Sequence, residues 1–264
     1  MRYDANVVEP LHENLFGQLH ATYFDMFHRA KDYRAETDQI RGIFTREGPV
    51  SAVLDLGCGT GRHLELLAES WHEVVGVDRS GPMVRRARER LARFGDRARV
   101  VESDLFELSL DRRFDAVIMM FSLLGYFVSN ERVLRALTVM GDHLDPGGLV
   151  VFDVEDATAV LGEPGPISGG SLRTPGARPL LTGHTTSVNP DEQVIEMALD
   201  MWELDGEAVH DQVHETHLIR YFARRELRLL LATAGFELLG YAGLAGETGN
   251  PSQPWLRLAW ARKK

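Results

Sequence analysis

Cysteine is almost missing from this chain: Cys58 is the one thiol in 264 residues, so no internal disulfide can form and a reducing compartment is expected. No run of 18 apolar residues occurs, which argues against a helical membrane span and a membrane partner. The opening MRYDANVVEPLHENLF lacks a basic stretch followed by an apolar one, so a secretory leader is not expected and a cytoplasmic location is. Positive charge is in deficit. The formal net charge of −10 disfavours a polyanionic partner such as DNA or RNA. Internal repeats and low-complexity tracts are also lacking, and the length suits one large α/β domain carrying an insertion.

One basic stretch runs against the overall charge. Seven arginines fall between Pro82 and Arg99, five of them within Met83–Phe94. Met83, Ala87 and Leu91 repeat at i, i+4 and i+8, and Ser80 before Pro82 is placed to cap a helix. The arginines therefore read as the solvated face of an amphipathic helix, with no interleaved aromatics to stack bases.

The most informative segment is Val53-Leu54-Asp55-Leu56-Gly57-Cys58-Gly59-Thr60-Gly61, an apolar strand breaking into a glycine-rich turn before a helix. Glycines let backbone N–H groups approach a ligand and permit the tight turn. A second strand, Glu73-Val74-Val75-Gly76-Val77, ends at Asp78, where an acid can accept hydrogen bonds from both hydroxyls of a ribose. Together they describe a pocket for a nucleoside-bearing cofactor. The spacing is G-x-G-x-G rather than the dinucleotide G-x-G-x-x-G. Asp55 beside the turn would repel a pyrophosphate and suit a methionine ammonium or sulfonium.

Strands near 52–56, 73–77, 98–101, 114–119 and 149–154 alternate with helices near 62–69, 82–94 and 130–143. That rhythm predicts a parallel sheet with helices on both faces, binding its ligand beyond the carboxyl ends of the strands. Asp55, Asp78, Asp104, Met119 and Asp153 all fall at or next to those ends. Before the first strand, Gln18 to Arg46 reads as helical. Gly162 to Pro179 holds so many glycines and prolines that a mobile loop or lid is expected. Three strands near 180–188, 193–203 and 208–221 follow, joined at Asn189-Pro190-Asp191 and Asp205-Gly206. A helix over 224–234 and strands near 236–241 and 256–262 close the chain. The expected organisation is a helical cap (1–48), a core (49–156 and 222–264) and a covering loop with antiparallel strands (157–221).

The ordered set VLDLGCGTG, VVGVDRS, Val101-Glu102-Ser103-Asp104-Leu105, Phe114-Asp115-Ala116-Val117-Ile118-Met119-Met120 and Leu144-Asp145-Pro146-Gly147-Gly148 resembles class I S-adenosylmethionine-dependent methyltransferases. The resemblance implies a Rossmann-like, doubly wound, seven-stranded α/β sheet with S-adenosylmethionine as cofactor. It implies cofactor contacts from Asp55, Gly57, Cys58, Gly59 and Gly61 of the turn, from Asp78 and Arg79, and from Asp104, Leu105 and Met119. Asp104 would meet the adenine amino group. For Cys58 the residue-level reading is packing within the turn.

Three further segments narrow the resemblance to antibiotic-pathway amino-sugar N,N-dimethyltransferases. Ala21 to Tyr33 is similar to their N-terminal cap, which implies that Tyr23 and Tyr33 line the cofactor near its sulfonium and carboxylate. Met119 to Tyr126 is similar to their segment after the fourth strand, where the residue matching Tyr126 faces the acceptor amine. His214 to Phe222 is similar to a late strand, with His217 on that family's histidine. Tyr126, Tyr23 and His217 are the catalytic candidates.

Departures from the group are equally specific. Its Glu-Pro-Trp-Trp segment is replaced by Asp153-Val154-Glu155-Asp156-Ala157, its Ser-Gly-Arg-Gly-Leu-Phe close by Gly246 to Trp255, and a basic residue for a nucleotide diphosphate is not evident. The Asp/Asn-Pro-Pro-Tyr motif of base-amino methyltransferases is missing as well. Two metal readings compete: His210, His214 and His217, of which the third points away from the others on a strand, and Asp153, Glu155 and Asp156. No metal is expected. The leading expectation is N-methylation of a small-molecule amine, an amino sugar or another natural-product intermediate. The alternatives are a metal-independent O-methyltransferase and a non-catalytic cofactor-binding protein, and a homo-oligomer stays open.

Overall fold

The computed structural model describes residues 15–70, 73–162, 167–174, 178–245 and 255–264. Its elements run α1 (Gln18–Phe27), α2 (Tyr33–Glu47), β1 (Ala52–Leu56), α3 (Arg62–Glu69), β2 (Glu73–Asp78), α4 (Gly81–Leu91), β3 (Ala98–Glu102) and β4 (Phe114–Met119). They continue with α5 (Asn130–Asp142), β5 (Leu144–Asp156), α6 (Ala157–Gly162), β6 (Ile167–Arg173), β7 (Leu180–Asn189), β8 (Val194–Asp205) and β9 (Ala208–Phe222). The chain ends with α7 (Arg224–Thr233), β10 (Phe236–Gly243) and β11 (Leu256–Lys263).

Strands β3-β2-β1-β4-β5 lie side by side in parallel. Strand β11 joins β5 antiparallel, and β10 pairs antiparallel with β11. Alternation along β1 feeds two separate cores. Leu54 and Leu56 pack with Val133, Leu137 and Met140 of α5 and Leu227 of α7. Val53 packs with Ile40 and Phe44 of α2 and Leu64 and Leu67 of α3 on the opposite face. Burying each such aliphatic side chain stabilises the fold by about 1.5–3 kcal/mol, which fixes the sheet between its helical layers. The parallel order with helices on both faces agrees with the α/β expectation.

The insertion is tied to this sheet at one place: Tyr221 and Phe222 of β9 pair with Glu155 and Asp156 of β5. From β9 the order continues antiparallel through β8, β7 and β6. One end of β9 thus lies beside the carboxyl end of β5, where the ligand should bind.

Three expectations need correction. The helical stretch from Gln18 is two helices, because Asp32 accepts the Ala35 N–H at 2.9 Å and starts α2 afresh. The helix after β2 ends at Leu91 and passes into a 3-10 turn, Ala92–Arg97, which Gly95 breaks at φ 56°. The glycine-rich loop holds strand β6, paired with β7 from Ile167↔Thr186 to Arg173↔Leu180. There glycine serves close approach, since a Cβ on Gly169 would lie 2.6 Å from the His184 ring. The remainder of that loop, 163–166 and 175–177, lies outside the described residues, as do the N-terminal 1–14 and the replaced segment 246–254.

Candidate active site

The glycine turn leaves β1 and is clamped to β2. Gly57 and Cys58 both donate to the Val77 carbonyl, at 2.7 and 3.0 Å. Gly57, Gly59 and Gly61 have φ of 74°, 53° and 78°, a region that costs other residues roughly 1–2 kcal/mol each. A Cβ on Gly57 would also meet Leu123 Cδ2 at 2.2 Å, while the space beside Gly59 is open. Asp78 holds the far side: its carboxylate accepts the Gly59 N–H and the Ser80 N–H, each at 2.8 Å.

Electrostatically the turn is set by two crowded acids, Asp55 and Asp78. Asp55 is 2% exposed, and burial together with the neighbouring Asp78 pushes its carboxyl up to about 8. Burial also raises Asp78, against the opposing pull of the Ser80 and Gly59 N–H groups and of Arg79. The Cys58 thiol is held well above its ordinary value by burial and by these two acids. Its side chain packs in the same core as Val53 and Leu64.

A second wall follows β4. Phe121 and Ser122 both have positive φ, 70° and 52°, which bends the chain sharply over the strand ends. Two acids of β5 fasten this bend. Asp153 accepts the Ser122 N–H at 3.1 Å, and Glu155 accepts the Ser122 hydroxyl at 3.2 Å. Asp153 is fully buried and pushed up to about 6 by that burial, and its Oδ2 has no partner among the described residues. The Tyr33 hydroxyl is likewise buried without a partner among the described residues. Its ring lies 6.1 Å from Phe121, and the Lys31 ammonium sits 4.5 Å above Phe121.

Beyond the bend, the 3-10 turn Leu123–Tyr126 rests against β9 and brings two distant candidates together. Tyr126 Oη lies 2.8 Å from His217 Nδ1. Burial, with the carboxylates Glu215 and Glu155, holds the tyrosine well above its ordinary value. His217 Nε2 lies 3.0 Å from Glu215 Oε2, and the same oxygen lies 2.6 Å from His20 Nδ1 of α1. Phe16 closes the group, its ring 6.0 Å from Tyr126 and 5.4 Å from His217.

Other candidates are placed differently. The Tyr23 hydroxyl donates to Glu203 of β8, and its ring packs with Leu180 and Met201 of the insertion. Burial and Glu203 push it up to about 12. The Tyr23 hydroxyl thus meets the antiparallel strands, while Asp25 of the same helix accepts from Thr60 of the glycine turn at 2.7 Å. One helical step of about 100° separates Tyr23 from Phe24, which shares His20's face. Asp104 caps the 3-10 turn Leu105–Glu107 by accepting the Phe106 N–H at 2.7 Å. Met119 is fully buried, and Leu105 is half-buried against the core. Arg79 is exposed beside Asp78.

Neither metal triad assembles. His214 pairs with Asp200 at 2.7 Å and His210 with Glu203 at 3.8 Å, both at the surface, while His217 is buried. Asp156 turns away from Asp153 and Glu155 to accept from Tyr241 at 2.7 Å. The arginine run is largely engaged within the fold: Arg85 donates to Gln18, Arg88 to Val100 O, Arg90 to Asp25, Arg93 to Glu65 and Glu69, and Arg97 to Ala68 O. The sequence reading missed Phe16, His20 and Glu215. Their signal was only a histidine one helical turn before Phe24 and an acid two residues before His217.

The residues fit S-adenosylmethionine: a glycine cradle open at Gly59, the acid Asp78 at the end of β2, a buried Asp55 carboxyl that a cationic methionine end would ionise, and a Tyr33 hydroxyl and an Asp153 Oδ2 without partners among the described residues. The comparisons agree. A family model described as a methyltransferase domain matches residues 53–148. The chain is 36% identical over 137 residues to dTDP-3-amino-3,4,6-trideoxy-alpha-D-glucopyranose N,N-dimethyltransferase of Streptomyces venezuelae, covering 51% of this chain and 56% of that protein. It thus spans little more than half of that relative. To dTDP-3-amino-3,6-dideoxy-alpha-D-glucopyranose N,N-dimethyltransferase of Streptomyces fradiae it is 30% identical over 225 residues, covering 83% of this chain and 84% of that one. The S-adenosylmethionine-bound amino pentose methyltransferase of Micromonospora echinaspora, involved in calicheamicin biosynthesis, superposes with a TM-score of 0.70 at 25% identity, covering 96% of this chain and 100% of that chain. This chain belongs to the class I S-adenosylmethionine-dependent methyltransferases, near the amino-sugar N-methyltransferases.

Proposed function

We propose that the protein N-methylates a small-molecule amine, an amino sugar or a related natural-product intermediate. The observation that carries this reading is the hydrogen bond between Tyr126 Oη and His217 Nδ1 at 2.8 Å, at the carboxyl end of the sheet where the cofactor motifs converge. S-adenosylmethionine supplies an electrophilic methyl group when bound. Asp78 would hold its ribose, Asp55 its cationic methionine end, and Gly57 to Gly61 its backbone-facing edge. An amine acceptor must present a lone pair, so a proton has to leave it. Tyr126 offers an oxygen lone pair to such an N–H while its own proton points to His217.

The surroundings favour a cationic acceptor. Glu155 and Glu215 both act on Tyr126 as negative charges. Relatives with dTDP-amino-sugar names support the amine class. The replaced segments after β5 and before β11 point to a related acceptor rather than the same one.

The test is tritiated methyl transfer from S-adenosylmethionine onto dTDP-3-amino-3,6-dideoxy-glucopyranose, simple amino sugars and matched hydroxyl compounds. Label on amines supports the reading, and label on hydroxyls alone would replace it with O-methylation. Changing Tyr126→Phe should lower turnover by about 10²-fold while leaving cofactor affinity alone. A normal rate would remove Tyr126 from the acceptor site.

A further inference from the structure

We propose that Glu215 and His20 complete a buried proton relay, Tyr126–His217–Glu215–His20, in which Glu215 fixes the tautomer of His217 and holds the charge that His217 acquires. It rests on the reading of Tyr126 above and adds two positioning residues from elements that no motif connects.

Hydrogen-bond chemistry permits one proton assignment when Glu215 is ionised. Its Oε2 is approached by His217 Nε2 at 3.0 Å and by His20 Nδ1 at 2.6 Å, so both nitrogens must carry protons. Its Oε1 accepts the Phe16 N–H at 3.1 Å. In neutral His217, Nδ1 then keeps its lone pair and the Tyr126 hydroxyl must donate to it. Glu215, His217 and His20 are 3%, 1% and 5% exposed, so water cannot substitute for a missing partner.

Every element packed on the cluster contributes to its charge balance. From α1 and the turn after it, His28 is driven down to about 3 by burial and stays neutral beside His20. Glu155 of β5 and Arg79 after β2 act on Tyr126 in opposite directions. Within the cluster Glu215 is the anion, and it lies two residues from His217 on the same face of β9.

The step balances without a further reactant. An ammonium N–H bond breaks and its proton goes to Tyr126 Oη, while the original Tyr126 proton moves to His217 Nδ1. The products are a neutral amine and an imidazolium paired with the Glu215 carboxylate. His20 clamps that carboxylate from the other side.

The same three ligand atoms lie within 4.8 Å of one another, a spacing that also admits a metal ion. The separations of 2.6 and 3.0 Å are hydrogen-bond lengths, and each donor already has its acceptor. A proton path is the better description.

Two measurements on the full-length protein decide it. The first, long-range 1H–15N NMR of the imidazoles, needs no acceptor. It should find His217 as the Nε2–H tautomer and His20 as the Nδ1–H tautomer, with both assignments lost in Glu215→Gln. A wild-type His217 in the Nδ1–H form, spectra unchanged by Glu215→Gln, or stoichiometric zinc by elemental analysis would overturn the relay. The second is the kcat–pH profile with the best amine of the panel. Glu215→Gln should lower kcat by about 10²-fold or more and displace the acid limb, with S-adenosylmethionine affinity unchanged. His20→Ala should lose part of the rate, and His20→Asn, which restores a donor near the Nδ1 position, should recover it. A wild-type rate and profile in Glu215→Gln would refute the relay. If no amine accepts label, the acceptor class fails, and the tautomer spectra still decide the relay.

Discussion

Replacing Asp55 with Asn should uncouple cofactor binding from proton release. Burial at the end of β1 and the adjacent Asp78 push the Asp55 carboxyl up to about 8, so at pH 7 roughly 90% of it is protonated in the free protein. A cationic methionine end favours the ionised form, and binding S-adenosylmethionine should expel about 0.9 proton from this group. Calorimetric titration at pH 7 in phosphate and in Tris measures that number from the difference in apparent heats. The ligand's own amine contributes equally to wild type and Asp55→Asn, so the difference between proteins isolates Asp55. The free protein carries a second signature. Because the folded-state value lies above the unfolded 3.8, the associated stability is complete below pH 3.8 and is lost as pH rises through about 8. Between pH 6 and 8 the loss is about 2 kcal/mol, or roughly 4–8 °C in Tm for a chain of this size. Asp55→Asn should flatten that slope. Equal proton release and equal slopes in the two proteins would refute the assignment of a protonated, cofactor-facing Asp55.

The neighbouring acid makes a separate prediction: Asp78→Asn should weaken S-adenosylmethionine binding by about 10²-fold, from loss of charged hydrogen bonds to a ribose worth roughly 1.5–3 kcal/mol each. An unchanged Kd by calorimetry would remove Asp78 from the pocket. Gly125→Ala places a Cβ 2.7 Å from the Arg220 carbonyl oxygen and 2.9 Å from Ile219 Cγ2. It should push the Tyr126 turn off β9, costing about 1–3 kcal/mol in denaturant unfolding and lowering kcat more than cofactor affinity. Wild-type stability and rate would contradict that packing. Acid unfolding tests Glu215: burial works to raise it, but hydrogen bonds and charges from His20 and His217 outweigh burial and bring it to about 2. Its contribution is present above 4.5 and is lost as pH falls through about 2, so Glu215→Gln should flatten the acid-denaturation curve across that window. A curve of unchanged steepness would contradict it.

What the sequence disclosed and what it hid divide along contact distance. The β1–β2 end of the sheet is built from short-range features, a strand, its turn and the acid that ends the next strand, so the convergence of Asp55, Gly59 and Asp78 was readable from spacing alone. Strand β6 was hidden because glycine signals a breaker locally, whereas its backbone is satisfied by β7 and its missing side chains admit the His184 ring. The contact of Tyr23 with Glu203 was hidden because period alone does not say which of two adjacent helix faces meets the inserted strands. His20 escaped notice for a plainer reason: its partner is 195 residues away, on a strand that reaches the site only through the β5–β9 pairing.

That pairing also explains how strain is held at the site. Two consecutive non-glycine residues, Phe121 and Ser122, sit at positive φ, at a cost of about 1–2 kcal/mol each. Asp153 and Glu155 hold Ser122 from β5. Glu155 is also the residue at which β5 meets Tyr221 of β9. The bend that aims Tyr126 and the strand that carries His217 are therefore fastened to consecutive turns of the β5 pleat. Whatever loosens the end of β5 should separate the tyrosine from the histidine before it disturbs the glycine turn. The acceptor side can then vary among relatives while the cofactor side stays intact, which is the pattern of matches and departures this chain displays.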